Sequence, residues 1–446
     1  MADVTDVEPL IESFDVAAGY LDWARFGPLS PSVRAEMHAD AELLGSGRSS
    51  GVDLVGARIG EARDLIGTIL GAPADEIVLQ PSTTHGLAHA LFGLDGTVIV
   101  PSEDFPSVRL MAHRAAVTRG MLDVREIDPP DGIVTVDSVV DALTDDVTAV
   151  AVSLVDFRTG ALLDLAGLRD AVGDRLLIID AVQAFGVVDV DWSAADVVVG
   201  NGYKWLRAGR GTGFARFSPR ARERIEPVLS GISGMQGDAT TLGVPVPRAG
   251  AAAYSIAPSD PLAASRLAAS LREILAVGTA DIAAEVRRRA ADVMSLADRY
   301  EVPVLTPRDA HAGIVALVPS DPPVLAAALA NHGVTVTARG TSIRVSAHVG
   351  TGADSMMLLG DALADAATAG RIVAVEYGRE ELGGEPDAPD VITIDLPEPA
   401  PADEPESVLE AVEATENATG GGDGTEPEAL TADVVIAVVD DESIEN

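Results

Sequence analysis

The chain has 446 residues, 47% of them hydrophobic and only 4% aromatic, so we expect two domains with cores packed mainly by Val, Leu, Ile and Ala. It contains no cysteine, which excludes disulfides, thiolate metal sites and a cysteine nucleophile. The formal net charge of −39 argues against a nucleic-acid partner, because a basic surface is needed to bind a phosphate backbone.

No targeting or membrane segment is predicted. Residues 1–8 are acidic and lack the basic start and apolar run of a secretory signal. No apolar stretch approaches the length that crosses a bilayer. We therefore expect a cytoplasmic protein with no membrane partner and no metal site.

Residues 70–220 alternate between short apolar runs and amphipathic stretches. Helical patterns occupy residues 105–118 and 165–172. The apolar runs fit buried strands at residues 76–80, 97–100, 148–152, 176–180 and 196–200. Apolar strands that alternate with helices are typical of a largely parallel sheet. We predict a large α/β domain over residues 20–257, preceded by an N-terminal arm of residues 1–19.

The pattern changes near residue 258. Segments rich in Ala and Arg predict long helices at residues 260–277 and 280–300. Shorter elements follow: strands at residues 313–318, 334–338 and 342–347, a helix between the first two, and a last helix at residues 354–368. We predict a smaller α+β domain over residues 258–375.

Residues 376–446 form an acidic tail. From Glu380 onward it contains 21 acidic residues and no Lys or Arg, a composition that predicts disorder. Its charge motivates the hypothesis that it binds a partner.

Three residues at the predicted carboxyl ends of strands suggest the chemistry. Asp180 ends an apolar strand, at the sheet edge where α/β proteins bind ligands. A carboxylate there can keep a pyridine nitrogen protonated, and Gln183 can donate to an oxygen on the same ring. Lys204, the one lysine in the chain, follows the next strand. A lysine with a lowered pKa is what Schiff-base chemistry requires, and chance rarely places a single lysine there.

A candidate anion site follows the strand at residues 76–80. Ser82, Thr83 and Thr84 open a predicted helix, where hydroxyl and backbone N–H groups can bind a phosphate. The same residues are also common as simple helix caps.

These motifs resemble the class V aminotransferase superfamily. Asp180-x-x-Gln183, the lysine after the following strand, and the glycine-rich turn at residues 209–213 match in order and spacing. The resemblance covers residues 20–369 and is strongest over residues 155–217. It implies a fold-type I enzyme dependent on pyridoxal 5′-phosphate (PLP), with a mainly parallel seven-stranded sheet in the large domain and a smaller C-terminal α+β domain.

The resemblance also implies roles for the site residues. Lys204 would carry PLP as a Schiff base and shuttle protons, Asp180 would pair with the pyridinium nitrogen, and Gln183 would contact the ring oxygen. The phosphate would bind at Thr83 and Thr84, with Ser82 and Tyr203 as further candidates.

Two candidates rest on similar segments elsewhere in the family. Phe105 would stack on the pyridine face, although a hydrophobic contact at a helix start is about equally expected. Arg344, in the segment at residues 342–348, would clamp the substrate α-carboxylate. His85 and His348 are weaker candidates, since a lone histidine is usually structural.

Two features depart from the family pattern. Residues 248–252 lack the threonine that a partner subunit often contributes to the phosphate site. Residues 155–160 and the Tyr203-Lys204 pair are similar to kynureninases, yet kynureninases usually have histidine where Gln183 stands.

Several reactions are compatible with these residues. Transamination is the first expectation, and a kynureninase-like C–C or C–S lyase or an epimerase is the alternative. A non-catalytic relative is disfavoured because Asp180 and Lys204 are both present. Cysteine desulfuration by the usual persulfide route is excluded by the absence of cysteine. The family resemblance implies an amino acid substrate and a homodimer. Trp23, Arg25 and Phe26, near the start of the large domain, are candidate substrate contacts.

Overall fold

The computed structural model describes residues 7–129, 132–238 and 240–380, with side chains described as far as residue 369. The acidic tail predicted over residues 376–446 lies outside the described residues from residue 381 onward. Among the described residues, no helix combines the length and apolar composition that a membrane span needs.

Seven strands form the larger sheet. They are β1 (Ile77–Gln80), β2 (Gly96–Pro101), β3 (Leu122–Ile127), β4 (Val147–Ser153), β5 (Leu176–Asp180), β6 (Val197–Asn201) and β7 (Gly213–Phe217). Their order is β1-β7-β6-β5-β4-β2-β3, and β7 alone of these seven runs antiparallel to its neighbours. The carboxyl ends of the other strands therefore share one edge, where β7 begins.

Helices cover both faces of this sheet. They are α1 (Glu8–Glu12), α2 (Pro31–Gly45), α3 (Ser49–Gly56), α4 (Arg58–Leu70), α5 (Thr83–Phe92), α6 (Pro106–Arg119), α7 (Val136–Val140), α8 (Leu165–Val172), α9 (Pro219–Arg224) and α10 (Pro261–Val277). Successive side chains of β5 alternate between two hydrophobic clusters, one that includes Ile66 of α4 and one that includes Leu87 of α5. The apolar sequence of β5 is explained because both faces of the strand are buried.

A second sheet follows in the chain. It contains β8 (Ile314–Leu317), β9 (Thr337–Arg339) and β10 (Ser342–Ser346), arranged antiparallel in the order β8-β10-β9. Its helices are α11 (Thr279–Arg299), α12 (Pro322–Asn331) and α13 (Ala353–Glu380). The N-terminal segment joins it, because the carbonyl of Leu21 accepts a hydrogen bond from Ser346 N at 2.7 Å. The two sheets confirm the predicted fold class, whereas the domain boundaries stay predictions.

The observed elements differ from the predicted ones in several places. β3 and β7 were not predicted as strands, and six helices were not predicted either: α1, α2, α3, α4, α7 and α9. The strand predicted at residues 334–338 is shorter and displaced, at Thr337–Arg339. The helix predicted to end at residue 368 continues to Glu380.

Candidate active site

The site lies at the shared carboxyl edge of the larger sheet. Ser153 at the end of β4 is paired with Asp180 at the end of β5, and Asn201 at the end of β6 is paired with Gly213 at the start of β7. Gly213 is also paired with Gln80 of β1. The loops that follow β1, β5 and β6 therefore converge, as the sequence predicted for Asp180 and Lys204.

A cavity of about 390 Å³ opens at this edge. Most of the residues predicted to bind the cofactor line it: Ser82, Thr83, Thr84, Phe105, Asp180, Tyr203 and Lys204. The remaining lining residues are Pro81, Ser107, Val182, Asn201, Arg210 and Gly211.

Asp180 is a buried carboxyl group with one oxygen left without a partner. Its Oδ1 accepts a hydrogen bond from Val182 N at 2.9 Å, whereas Oδ2 has no hydrogen-bond partner among the described residues. Burial raises the pKa of Asp180, and the charge of Asp104 adds to that increase. A buried carboxylate oxygen without a donor is unfavourable, so this oxygen is suited to a cationic N–H group of a ligand.

Lys204 is buried in the wall of the same cavity. Its Nζ lies 5.7 Å from the centre of the Phe105 ring and 5.4 Å from that of Tyr203. Burial lowers the pKa of Lys204, while the charge of Asp180 opposes this shift. The neutral amine favoured by burial is the form that attacks a carbonyl carbon.

The loop after β1 is the candidate anion site. Thr83, Thr84 and His85 form the first turn of α5, and the first N–H groups of a helix lack intrahelical acceptors. The hydroxyl of Thr84 is bonded to Ser107 Oγ at 2.8 Å, and that of Ser82 to His85 Nδ1 at 2.9 Å. The buried hydroxyl of Thr83 has no partner among the described residues. Thr83 is therefore the best placed of the three hydroxyls for a phosphate oxygen.

Phe105 and Tyr203 lie close to the amine of Lys204. Phe105 precedes α6 and packs edge-on against Phe157, with ring centres 5.3 Å apart. Asp104 fixes the start of this loop by accepting a hydrogen bond from Phe105 N at 2.6 Å. Phe105 is thus held in the cavity wall, where the sequence predicts a stacking contact.

Gln183 and Arg344 are not among the residues that line the cavity. Gln183 donates to the carbonyl of Ala24 at 3.0 Å and accepts from Trp205 Nε1 at 2.9 Å. Both ends of this amide are therefore bonded to protein groups, and its contact with a ring oxygen stays a prediction.

Arg344 is buried on β10 and already has protein partners. Its Nη1 donates to the Phe157 carbonyl at 2.8 Å, and Nη2 lies 3.6 Å from Asp22 Oδ1. Its Nε has no partner among the described residues. Burial lowers the pKa of Arg344 to about 10. The charge of Arg344 also lowers the pKa of Lys204, so the two side chains interact electrostatically.

Arg210 and Asn201 were not predicted as site residues. The guanidinium of Arg210 lies 4.8 Å from the centre of the Tyr203 ring, and Asn201 Oδ1 accepts from Tyr203 N at 3.3 Å. The sequence could have indicated Arg210 as a site residue, because it is a basic residue within the glycine-rich turn. It could have indicated Asn201, because this residue lies at the end of an apolar run. Of the proposed substrate contacts, Trp23 is buried among aromatic rings and does not line the cavity.

The residues present fit PLP. The unpartnered oxygen of Asp180 suits a protonated ring nitrogen, and the unpartnered hydroxyl of Thr83 at a helix N-terminus suits a phosphate. Lys204 is an amine in the same cavity wall, with a pKa lowered by burial. These are three independent matches between this chain and one cofactor.

The family model for class V aminotransferases matches residues 41–343. The chain belongs to this family. The match confirms the resemblance seen in the sequence, and PLP is accordingly the cofactor of the chain.

Two groups of curated relatives are similar to this class V chain. A kynureninase of Deinococcus radiodurans is 29% identical over 262 residues, which cover 55% of this chain and 61% of the relative. A probable cysteine desulfurase of Methanothermobacter thermautotrophicus is 29% identical over 225 residues, covering 48% of this chain and 56% of the relative. The chain thus spans about three fifths of the length of these relatives.

Solved structures agree on the fold. A C-DES variant with glycine covalently linked to its PLP cofactor has a TM-score of 0.72 and 18% identity, and the alignment covers 78% of this chain and 97% of C-DES. This likeness confirms the fold-type I architecture.

Proposed function

We propose that this class V chain is a PLP-dependent lyase that acts on an amino acid. The main support for the cofactor chemistry is one observation: the buried Lys204 lines the same cavity as Asp180, whose Oδ2 has no partner among the described residues. The similar proteins named kynureninase and cysteine desulfurase support a lyase. Transamination, the first expectation from the sequence, stays a prediction.

Lys204 is the acid–base group in this proposal. When bound, PLP supplies an electron sink that stabilises a carbanion at the substrate α-carbon. Since burial lowers the pKa of Lys204, its Nζ is able to accept the α-proton near neutral pH and to return it at a later step. The two aromatic rings near Nζ help to exclude water from this transfer.

The other residues bind and orient. Asp180 Oδ2 holds a protonated ring nitrogen, and Thr83 with the first turn of α5 holds the phosphate. Phe105 supports one face of the ring. Arg344 remains the proposed carboxylate ligand, because its Nε donor has no partner among the described residues.

The absence of cysteine limits which lyase this is. A desulfurase that passes sulfur to its own cysteine persulfide is excluded, because the chain contains no cysteine. An elimination that releases its leaving group directly, or a C–C cleavage, needs no such residue. These are the reactions that the proposal retains.

Product analysis separates a lyase from a transaminase. The chain loaded with PLP would be incubated with a panel of amino acids that includes L-kynurenine and L-cystine. A lyase forms ammonia and a keto acid, or a shortened amino acid, without any added keto acid. We expect such products, and expect Lys204→Ala to reduce the rate by about 100-fold or more, since it removes the acid–base group.

Three results would overturn the lyase proposal. Turnover that depends on an added keto acid as amino acceptor would establish transamination. Inversion of the α-carbon with no other product would establish an epimerase. No turnover at all would favour the non-catalytic alternative.

We also propose that the protein is a homodimer. Support comes from a run of exposed apolar side chains between residues 228 and 256, which includes Leu242 and Val244 at 96% and 93% exposure. Ser255 and Ile256, at the end of this run, line a second cavity of about 420 Å³, to which Pro81 and Gly211 of the first cavity also contribute. Large exposed apolar areas typically mark protein interfaces.

A further inference from the structure

The loop that carries Lys204 is held by groups from separate parts of the chain. Gly27 N donates to the carbonyl of Tyr203 at 2.8 Å, and Arg207 N donates to the carbonyl of Lys204 at 2.9 Å. His348 Nε2 donates to the carbonyl of Trp205 at 2.9 Å. The carbonyl groups of three consecutive residues, 203–205, are thus fixed by hydrogen bonds. The bond to Trp205 comes from His348, which follows β10 of the second sheet.

His348 is a fully buried histidine whose tautomer is fixed. Its Nδ1 accepts a hydrogen bond from Val349 N at 2.8 Å, so the ring hydrogen must lie on Nε2, which faces the Trp205 carbonyl. Burial and the nearby charge of Arg207 lower the pKa of His348 to about 3. Both ring nitrogens are already engaged with backbone groups, which leaves hydrogen bonding as the function of this ring.

Aromatic rings surround His348. The ring contacts Phe14, Trp23 and Trp205, with centres 4.8, 5.2 and 5.5 Å away. The indole of Trp205 is held independently, because its Nε1 donates to Gln183. The residue that follows Lys204 is therefore fixed both through its side chain and through its carbonyl.

Residues 344–348 connect this contact to the predicted carboxylate ligand. Arg344 lies on β10, and His348 follows four residues later in the loop after that strand. The intervening Ser346 is anchored, since its hydroxyl accepts from Ala24 N at 2.9 Å. A displacement of β10 would be transmitted to the loop of Lys204 through His348.

We propose that His348 is a positioning residue, which through the Trp205 carbonyl fixes the loop of Lys204 and keeps its amine buried. The inference deepens the proposed function and depends on it for the role of Lys204. In the same proposal, the amide of Gln183 also helps to position the loop, because its oxygen accepts a hydrogen bond from the Trp205 side chain.

Loss of the His348 bond should expose Lys204 to water. Trp205 O would be left buried without a donor, which favours a rearranged loop. Hydration stabilises the charged amine, so the pKa of Lys204 would move upward toward its ordinary value. The charged groups that act on Lys204 are Asp180, Arg210, Arg339 and Arg344, and each remains in a variant of His348.

The chain offers a direct measurement because Lys204 is the one lysine. The full-length protein without PLP would be treated with trinitrobenzenesulfonate over a range of pH. Mass spectrometry of the Lys204 peptide then gives the pH midpoint of modification for this side chain alone. For His348→Phe, we expect the midpoint to rise by about one unit, which lowers the modification rate about tenfold at pH values well below both midpoints.

Matched variants separate positioning from stability. His348→Gln keeps an N–H donor near the Nε2 position, and we expect the wild-type midpoint. His348→Asn places its amide too far back and should behave as His348→Phe does. Leu359→Ala removes a buried side chain from α13 away from the loop and should lower the melting temperature without moving the midpoint.

An unchanged midpoint in folded His348→Phe and His348→Asn would overturn the inference. So would an equal shift in Leu359→Ala, because the effect would then reflect general loosening. The assay contains no PLP, so its outcome is independent of the proposed function. A chain that shows the shift but never binds PLP would contradict the proposed function alone.

Discussion

At the residue scale, burial shifts the pKa values of Asp180 and Lys204 in opposite directions. The desolvation that raises the pKa of Asp180 lowers that of Lys204, and each charge acts against the shift of the other. The sequence predicted that these two residues lie at the same site, because Asp180 ends one apolar strand and Lys204, the only lysine, follows the next. Both residues line one cavity.

The contacts of Gln183 and Arg344 could not be predicted in the same way. Gln183 is bonded to residues 24 and 205, and Arg344 pairs with Asp22, so the partners lie far away in sequence. Spacing within one motif carries no information about such contacts. Asp22 carries no recognisable motif, although it is buried and has its pKa raised by burial.

Thr83 provides a test of the phosphate site. Its hydroxyl is the one without a partner in the loop after β1, so we expect Thr83→Val to weaken PLP binding. A hydrogen bond to a charged group contributes about 1.5–3 kcal/mol, which corresponds to a roughly 10- to 150-fold loss of affinity. Titration of the PLP-free protein with PLP, followed by absorbance, measures this loss.

Thr118→Val is the matched control for that titration. The hydroxyl of Thr118 is exposed on α6 and is bonded to the Arg114 carbonyl, away from the cavity. We expect its PLP affinity to equal that of the unmodified chain. Equal affinities in the Thr83 and Thr118 variants would remove Thr83 from the phosphate site.

At the scale of elements, strongly apolar strands were predictable and mixed ones were not. β5 and β6 are buried along their whole length, and each begins with an uninterrupted apolar run, LLII in β5 and VVV in β6. β3 has the sequence LDVREI, with four of its six side chains exposed or half-buried at the sheet edge, so its pattern is weak. β7 contains Gly213 and Arg216, which weaken its apolar pattern. Arg216 forms an ion pair with Glu76, far away in sequence, with 2.9 Å between Nε and Oε2.

The convergence of loops followed from the strand order rather than from any single element. The sequence predicted strands, and parallel strands imply a common carboxyl edge. It did not predict that β7 is antiparallel, or that Arg210 before it would line the cavity. The turn geometry before β7 depends on Gly209 and Gly211, whose positive φ angles favour glycine.

At the scale of the whole molecule, the proposed homodimer is open to a direct test. Leu242→Asp combined with Val244→Asp places charges in the exposed apolar run between residues 228 and 256. Both side chains are exposed in one chain, so we expect little change in the stability of the monomer. We expect the variant to dissociate into monomers in light scattering at concentrations where the unmodified chain is dimeric.

Val117→Asp is the control, since Val117 is an exposed apolar residue on α6, outside that run. It should leave the dimer intact. A monomeric mass for the unmodified protein with PLP bound would contradict the homodimer, and a dimeric mass for the double variant would place the interface elsewhere.

The central claim, that Lys204 binds the cofactor covalently, is tested most directly by the absorption spectrum of the purified full-length protein between 300 and 500 nm. After addition of PLP, we expect a visible band that borohydride bleaches, fixing the cofactor mass on the Lys204 peptide. Lys204→Ala should show neither the band nor the added mass. If the unmodified chain gives no band with PLP, or if the band survives in Lys204→Ala, the claim is contradicted.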